Sequence, residues 1–273
     1  MTRILATFDA EFRIALRNRW VTISALMMVL FGAVLSAAGS APTGALGADR
    51  LSVTVASLTS LAVYLVPLLA LLLAFDAVAG ELERGTLPLL LAYPVSRPQA
   101  LMGKLLAHLA VLAVALLAGY GTAALAAFAV DARALAGVPA LFRLFWSSLL
   151  LGATFLGAGY AISAWSRRPS AAAGLAIGLW LVVIVLYDLA LLAGIVADNG
   201  GAFTTGVFPV ALLANPADAF RLYNLSASQA TAAAAGIAGA AGTIPSWQSL
   251  LSTLLWPLAA LGLAIAAFRK VTL

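Results

Sequence analysis

The chain has 273 residues, 64% hydrophobic and 9% charged, with a net charge of +5 and a mean hydropathy of +1.08. An average soluble domain carries about 25% charged residues, so this composition belongs to a polytopic membrane protein and excludes a chain that covers itself with water-facing surface. The lack of cysteine excludes a disulfide framework, a zinc ribbon and thiol chemistry, and the basic balance points to Lys- and Arg-rich inner loops, not to nucleic acid.

The opening residues, MTRILATFDAEFRIALRNRW, do not read as a secretory signal, because Asp9, Glu11, Arg13, Arg17 and Arg19 interrupt any apolar core. Residues 3–18 predict a helix lying on the membrane. Leu5, Phe8, Phe12 and Leu16 recur at spacings of three and four, and Asp9, Arg13 and Arg17 form a charged stripe at i,i+4. Six stretches then qualify as all-α spans of about 20 residues across about 30 Å of hydrocarbon: 20–38, 53–75, 101–129, 143–165, 171–196 and 248–268.

Of the 15 Lys and Arg residues, Arg50, Arg133, Arg143 and Arg221 fall in one set of connecting segments and the rest in the alternate set. The basic excess marks the inner side, so both termini and segment 76–100 are expected in the cytoplasm, and 197–247 outside. Trp20 and Trp165 at inner boundaries, with Trp146 and Trp247 at outer ones, fit the same orientation. Within the outer loop, PVALLANPADAFRLYNLS (209–226) predicts a short external helix broken at Asn215-Pro216, followed by a low-complexity Ala/Gly stretch at 227–245.

Segment 76–100 is the unusual one. Between two oily spans it places Asp76, Glu81, Glu83, Arg84 and Arg97 together with three prolines and Gly85-Thr86. Gly85 is expected to break the second span's extension. Thr86 is a candidate N-cap for a short helix over 87–93, with Leu87, Leu90 and Leu91 on one face and Pro94 at its end. Ser96-Arg97-Pro98-Gln99 fits a capping box opening the third span. A plain inner loop needs only four or five residues, so this organised hairpin is expected to dock a cytoplasmic partner.

The pattern Asp76…Glu81-x-Glu83-x-Gly85-Thr86-Leu87, then Tyr93-Pro94-Val95-Ser96-Arg97 and Gly103-Lys104, resembles the coupling segment of ABC-2-type transporter permeases. The layout of six spans matches along the whole chain. More narrowly, ALRNRW, ASLTSLAVYLVPLLALLLAFDAVAGE, SAAAGLAIG and NPADAFRL are similar to the permeases that serve maturation of nitrous oxide reductase. The resemblance implies an all-α, type V exporter-like body. Residues 1–19 would be its elbow helix, with Arg13, Arg17 and Arg19, and the hairpin its coupling helix. Glu81, Glu83, Arg84, Gly85, Thr86, Leu87, Pro94 and Arg97 would form the ATPase-coupling set. It also implies a homodimer, two copies of a cytoplasmic ABC ATPase, and a NosD-like periplasmic accessory protein, the whole assembling a copper–sulfur centre. ATP and magnesium would reside on the ATPase. This chain has no GxxxxGK[ST] loop to hold nucleotide, since its Gly103-Lys104 is followed by Leu105, and it is therefore expected to be a non-catalytic subunit.

Two polar residues stand inside apolar spans. Asp188 in the fifth span costs about 2.5–3.5 kcal/mol against lipid, so it faces a helix interface or a substrate or proton site. His108, the single histidine, is either a ligand or a packing residue. Gly174 and Gly178 form a GxxxG, Gly157 and Gly159 a similar pair, and Pro67 is expected to kink the second span. Copper(I) favours thiolate and thioether ligands. With four methionines and no cysteine, the chain is expected to hold no metal and to conduct no copper, but to move a sulfur-containing species or transmit force. Competing classes are an exporter of another compound, an ion-coupled carrier using Asp188, and an intramembrane serine hydrolase pairing His108 with Ser57 or Ser60.

Overall fold

The computed structural model describes residues 2–17, 19–38, 49–92, 95–198, 200–226 and 244–271. Tyr93, Pro94, the side chain of Arg19 and the 227–243 stretch lie outside the described residues. Among those described, the secondary structure is helical throughout. In chain order the helices are α1 (Thr2–Leu16), α2 (Arg19–Ala38), α3 (Arg50–Ala74), α4 (Ala79–Glu83), α5 (Thr86–Ala92), α6 (Arg97–Phe128), α7 (Val138–Trp165), α8 (Pro169–Trp180), α9 (Tyr187–Asp198), α10 (Phe208–Ala214), α11 (Pro216–Leu225) and α12 (Ser246–Arg269).

Among the described residues, five stretches are long and apolar enough to cross a membrane: Arg50–Glu83, Arg97–Phe128, Ala132–Trp165, Pro169–Asp198 and Ser246–Arg269. Within α2 the described apolar stretch is shorter, Ala25–Ala37. α7 is the centre of the bundle and packs along α3, α6 and α12, while α2 and α1 both lie on α6. Leu51, Leu58, Val66, Leu112, Leu116, Leu151 and Phe155 fill the shared core.

Close approach rests on missing side chains, as expected where helices associate without a strong water-driven force. A β-carbon at Gly32 of α2 would overlap the Gly119 carbonyl of α6. One at Gly157 of α7 would fall 2.8 Å from the Ala260 backbone of α12. Gly174 and Gly178 on α8, by contrast, face open space. Pro67 sits inside α3, which remains one helix from Arg50 to Ala74.

The span Pro169–Asp198 is the least buried of the five, with Ala172, Ala176, Ile184 and Leu191 buried and Leu179, Trp180, Val183 and Val185 partly buried against the core. Between α8 and α9 it widens into a π turn over Leu181–Leu186, a feature that often marks functional positions. The expected external helix is in fact two. α10 and α11 meet at Asn215, whose side chain accepts from Ala217 N. α11 is buried against α3, α7 and α12, where Phe220, Leu222 and Leu225 supply its apolar face.

Candidate functional site

The densest set of built-in polar contacts lies where the chain reverses between α3 and α6. α3 ends at Ala74, the chain turns through Phe75–Val78, and α4 occupies one short turn. Ser163 of α7 holds that turn from inside. Its hydroxyl accepts from Val78 N at 3.0 Å and Ala79 N at 2.9 Å and donates to Phe75 O at 2.6 Å, which uses the one proton and both lone pairs of a serine. Gly85 then adopts φ +68°, open to glycine at no steric cost. α5 follows, and Ser96 and Gln99 close the reciprocal capping box of α6. Thr86 is the first residue of α5 rather than its cap: its hydroxyl donates back to Glu81 O at 3.3 Å.

Lys104 of α6 knots three elements together. Its side chain is 2% exposed, and its ammonium is paired with Glu11 of α1 and, at 2.7 Å, with Glu81 of α4. α1 reaches this depth because Gly103 leaves room for Thr7 and the Ile4 carbonyl above it. The face of α1 turned to the protein is therefore Ile4, Thr7, Glu11 and Ala15, while Leu5 and Leu16 are exposed and Phe8 stacks on Phe12.

One turn deeper on α6, His108 shares a hydrogen bond of 2.6 Å with the Tyr160 hydroxyl and stacks on its ring. Asp76 pairs with Arg84 at 3.1 Å. Glu11, Asp76, Glu81, Arg84, Lys104 and His108 line one polar wall of a cavity of about 330 Å³, and Ile14, Leu72, Leu73 and Phe75 its apolar wall.

The coupling residues expected to face outward divide in two. Glu83, Arg84, Gly85 and Thr86 are exposed, as is Leu89. Glu81 turns inward to Lys104, Leu87 is fully buried, and Arg97 is half-buried. Arg97 caps the far end of the chain: one guanidinium nitrogen donates to the carbonyls of Phe268, Arg269 and Val271, groups a helix C-terminus leaves without partners. The outward presentation expected for Glu81 is thus corrected by its buried cation, and that of Leu87 by the apolar underside of the hairpin. On α1, Arg13 is exposed and paired with Asp9 at 2.8 Å, and Arg17 is exposed. Pro94 and the Arg19 side chain lie outside the described residues.

Asp188 sits at the opposite end, bound to Arg221 of α11 at 2.9 Å. His108 and Asp188 therefore belong to separate clusters. Ser57 and Ser60 donate to carbonyls of their own helix, and the contact of His108 is a tyrosine, so the serine hydrolase arrangement is not formed. Among the described residues, no three His, Asp or Glu side chains are placed to hold a metal.

Sequence reasoning missed Glu11, Ser163 and the role of Lys104. A signal for Lys104 existed, because a lysine inside an apolar span must find an acid. Nothing in the sequence says which acid.

Comparison with known proteins places this geometry. Residues 5–273 match the family described as "ABC-2 family transporter protein". The chain is 46% identical over 265 residues to "Probable ABC transporter permease protein NosY" of Pseudomonas aeruginosa, which covers 95% of both chains. It is 42% identical over 272 residues to the protein of the same name from Stutzerimonas stutzeri, again with 95% of each covered. The helical bundle, its membrane-length apolar spans and these two similarities agree, and the chain belongs to the ABC-2 family of transporter permeases.

Proposed function

We propose that this permease carries no nucleotide chemistry of its own and is driven by a separate ABC ATPase bound at the α4–α5 hairpin. In this reading six helices, α2 included, cross the inner membrane with both termini in the cytoplasm. α1 is the elbow and α5 the coupling helix. The working unit is a homodimer with two ATPase subunits below and a periplasmic accessory protein above. The sparsely covered span Pro169–Asp198, with open space at Gly174 and Gly178, supports a second copy alongside the first. The NosY name of both relatives supports service to nitrous oxide reductase, whose copper–sulfur centre would be assembled with a sulfur-containing species moved, or force transmitted, by this subunit. An exporter of another compound would use the same hairpin.

One observation carries the reading. The hairpin is pinned from within by Ser163 and Lys104, yet it presents Glu83, Thr86 and Leu89 outward on a rigid base. Such a base passes displacement to the bundle instead of absorbing it. The test is co-purification of the ATPase from the native host. Glu83→Arg combined with Leu89→Glu is expected to lower ATPase retention at least several-fold while membrane insertion is unchanged. Full retention by that variant removes the hairpin as the docking element.

A further inference from the structure

The end of the bundle opposite Lys104 holds a second charged cluster, built differently. Asp188 opens α9 directly after the π turn, and Asp218 and Arg221 lie one turn apart on α11. A single guanidinium serves both acids, with Nη2 at 2.9 Å from Asp188 and Nη1 at 3.1 Å from Asp218. Two carboxylates on one cation leave the cluster one negative charge in excess.

The two acids are not equivalent. The side chain of Asp188 is 28% exposed and that of Asp218 is 1% exposed. Neither oxygen of Asp218 accepts a hydrogen bond, because Arg221 lies close without pointing a proton at it. Asp188 meets the same guanidinium at its other nitrogen, which brings the two carboxyl groups together on one cation. Two facing acceptors, one of them buried, lack exactly one donor. A carboxylate left so is strongly disfavoured, and a proton between the pair supplies the donor, neutralises the excess charge and satisfies the buried oxygens.

We infer that Asp188 and Asp218 form a proton-binding site, a carboxyl pair that holds one shared proton beside Arg221 and exchanges it through the exposed Asp188. Burial first, then the Asp188 charge, raises the Asp218 carboxyl to about 7, against the opposing pull of Arg221. The other titratable groups around it are few. Tyr187 on α9 and Tyr64 on α3 are the neighbouring phenols. Arg143 of α7 covers Tyr223 further along α11. α10 carries no charged residue, and those of α12 are at its other end.

The site sits on a joint. Asn215 Nδ2 donates to Val183 O inside the π turn at 2.8 Å, and the Tyr187 hydroxyl donates to Ala211 O at 2.8 Å. With Arg221–Asp188 these ties fasten the α10–α11 pair to the loosely covered span. Proton loading closes the charged tie; proton loss leaves two anions competing for one guanidinium and loosens it. This inference does not depend on the hairpin reading or on the cargo.

The test is infrared spectroscopy of the purified permease in detergent, following the C=O stretch of protonated carboxyl groups against pH. The wild type is expected to show a band that shifts in deuterium oxide and disappears as pH rises through about 7. Asp218→Asn, which mimics the protonated acid, is expected to lack it. Asp188→Asn is expected to keep it with a midpoint at least one unit lower, a tenfold loss of proton affinity, because the repelling charge is gone. Should Asp218→Asn fail to fold, the Asp188→Asn midpoint decides alone. No titrating band near neutrality, or a midpoint unmoved in Asp188→Asn, overturns the site.

Discussion

Lys104→Met tests whether the buried ion knot is what fixes α1 and the hairpin to α6. Methionine keeps the length of the side chain and removes its charge. Lys104 is 2% exposed, and Glu11 and Glu81 are 15% and 17% exposed, so solvent cannot take over when the ammonium goes. Removing one member of a buried pair costs about 3–5 kcal/mol, because the partner charge stays buried and uncompensated. Here two like charges would be left facing each other, so the upper half of that range applies. Glu81→Gln keeps the Lys104–Glu11 pair and loses one charged contact, about 1–3 kcal/mol. The triple change Glu11→Gln, Lys104→Met, Glu81→Gln leaves no charge to strand and is expected to recover more than half of the Lys104→Met loss. Reversible unfolding of the purified protein in mixed detergent micelles, with the four proteins measured side by side, gives these differences directly. If Lys104→Met unfolds within about 0.5 kcal/mol of wild type, the scale of a surface substitution, or if the triple variant is no better than the single, the knot carries no such energy.

Three further outcomes are expected. Gly32→Ala forces a methyl group into the Gly119 carbonyl and is expected to cost about 1–3 kcal/mol as overpacking, whereas Gly174→Ala, facing open space, is expected to stay within about 0.5 kcal/mol in the same unfolding assay. Ser163→Ala leaves the buried Val78 and Ala79 N–H groups without an acceptor, a loss of about 1–3 kcal/mol that limited proteolysis would detect as faster cleavage between α4 and α6. For Asp218, the native acid is raised to about 7 from an ordinary 3.8, so between those values the folded state holds a proton that the unfolded chain has released. Stability is then greatest on the acid side and declines as pH rises to about 7, and the corresponding slope is expected to vanish in Asp218→Asn.

The apolar stretches were plain in the sequence because period and length alone decide them: α3, α6, α7 and α12 each begin within about five residues of the expected limits. The capping box at Ser96 was legible for a similar reason, since cap and partner are three residues apart. What stayed hidden was long-range. Glu11 and Lys104 are 93 positions apart, Ser163 and Val78 are 85, and no local pattern links either pair. The burial of α11 against α3, α7 and α12 was not legible, because Asp218, Arg221 and Asn224 make its composition look wet. In the fold Asn224 is satisfied by Ser147, and Arg221 pairs with Asp188 and lies beside Asp218.

Among the described residues, several buried polar groups join one helix to another. Along the α6–α7 contact, His108 meets Tyr160 near one end and Tyr120 meets Ser148 near the other. Twelve helical positions separate the two, about 18 Å, and Leu112, Leu116, Leu151 and Phe155 fill the interval. Among the described residues, no polar chain bridges that gap. Cargo crossing a membrane needs groups to replace its water, and along this interval the buried Thr154 hydroxyl is already taken up by Leu150 O. The walls of a passage then include a face now turned outward, and the Pro169–Asp198 span, the least buried of the five apolar spans and joined to α11 by the Arg221–Asp188 pair, is the span whose movement uncovers the least packed surface.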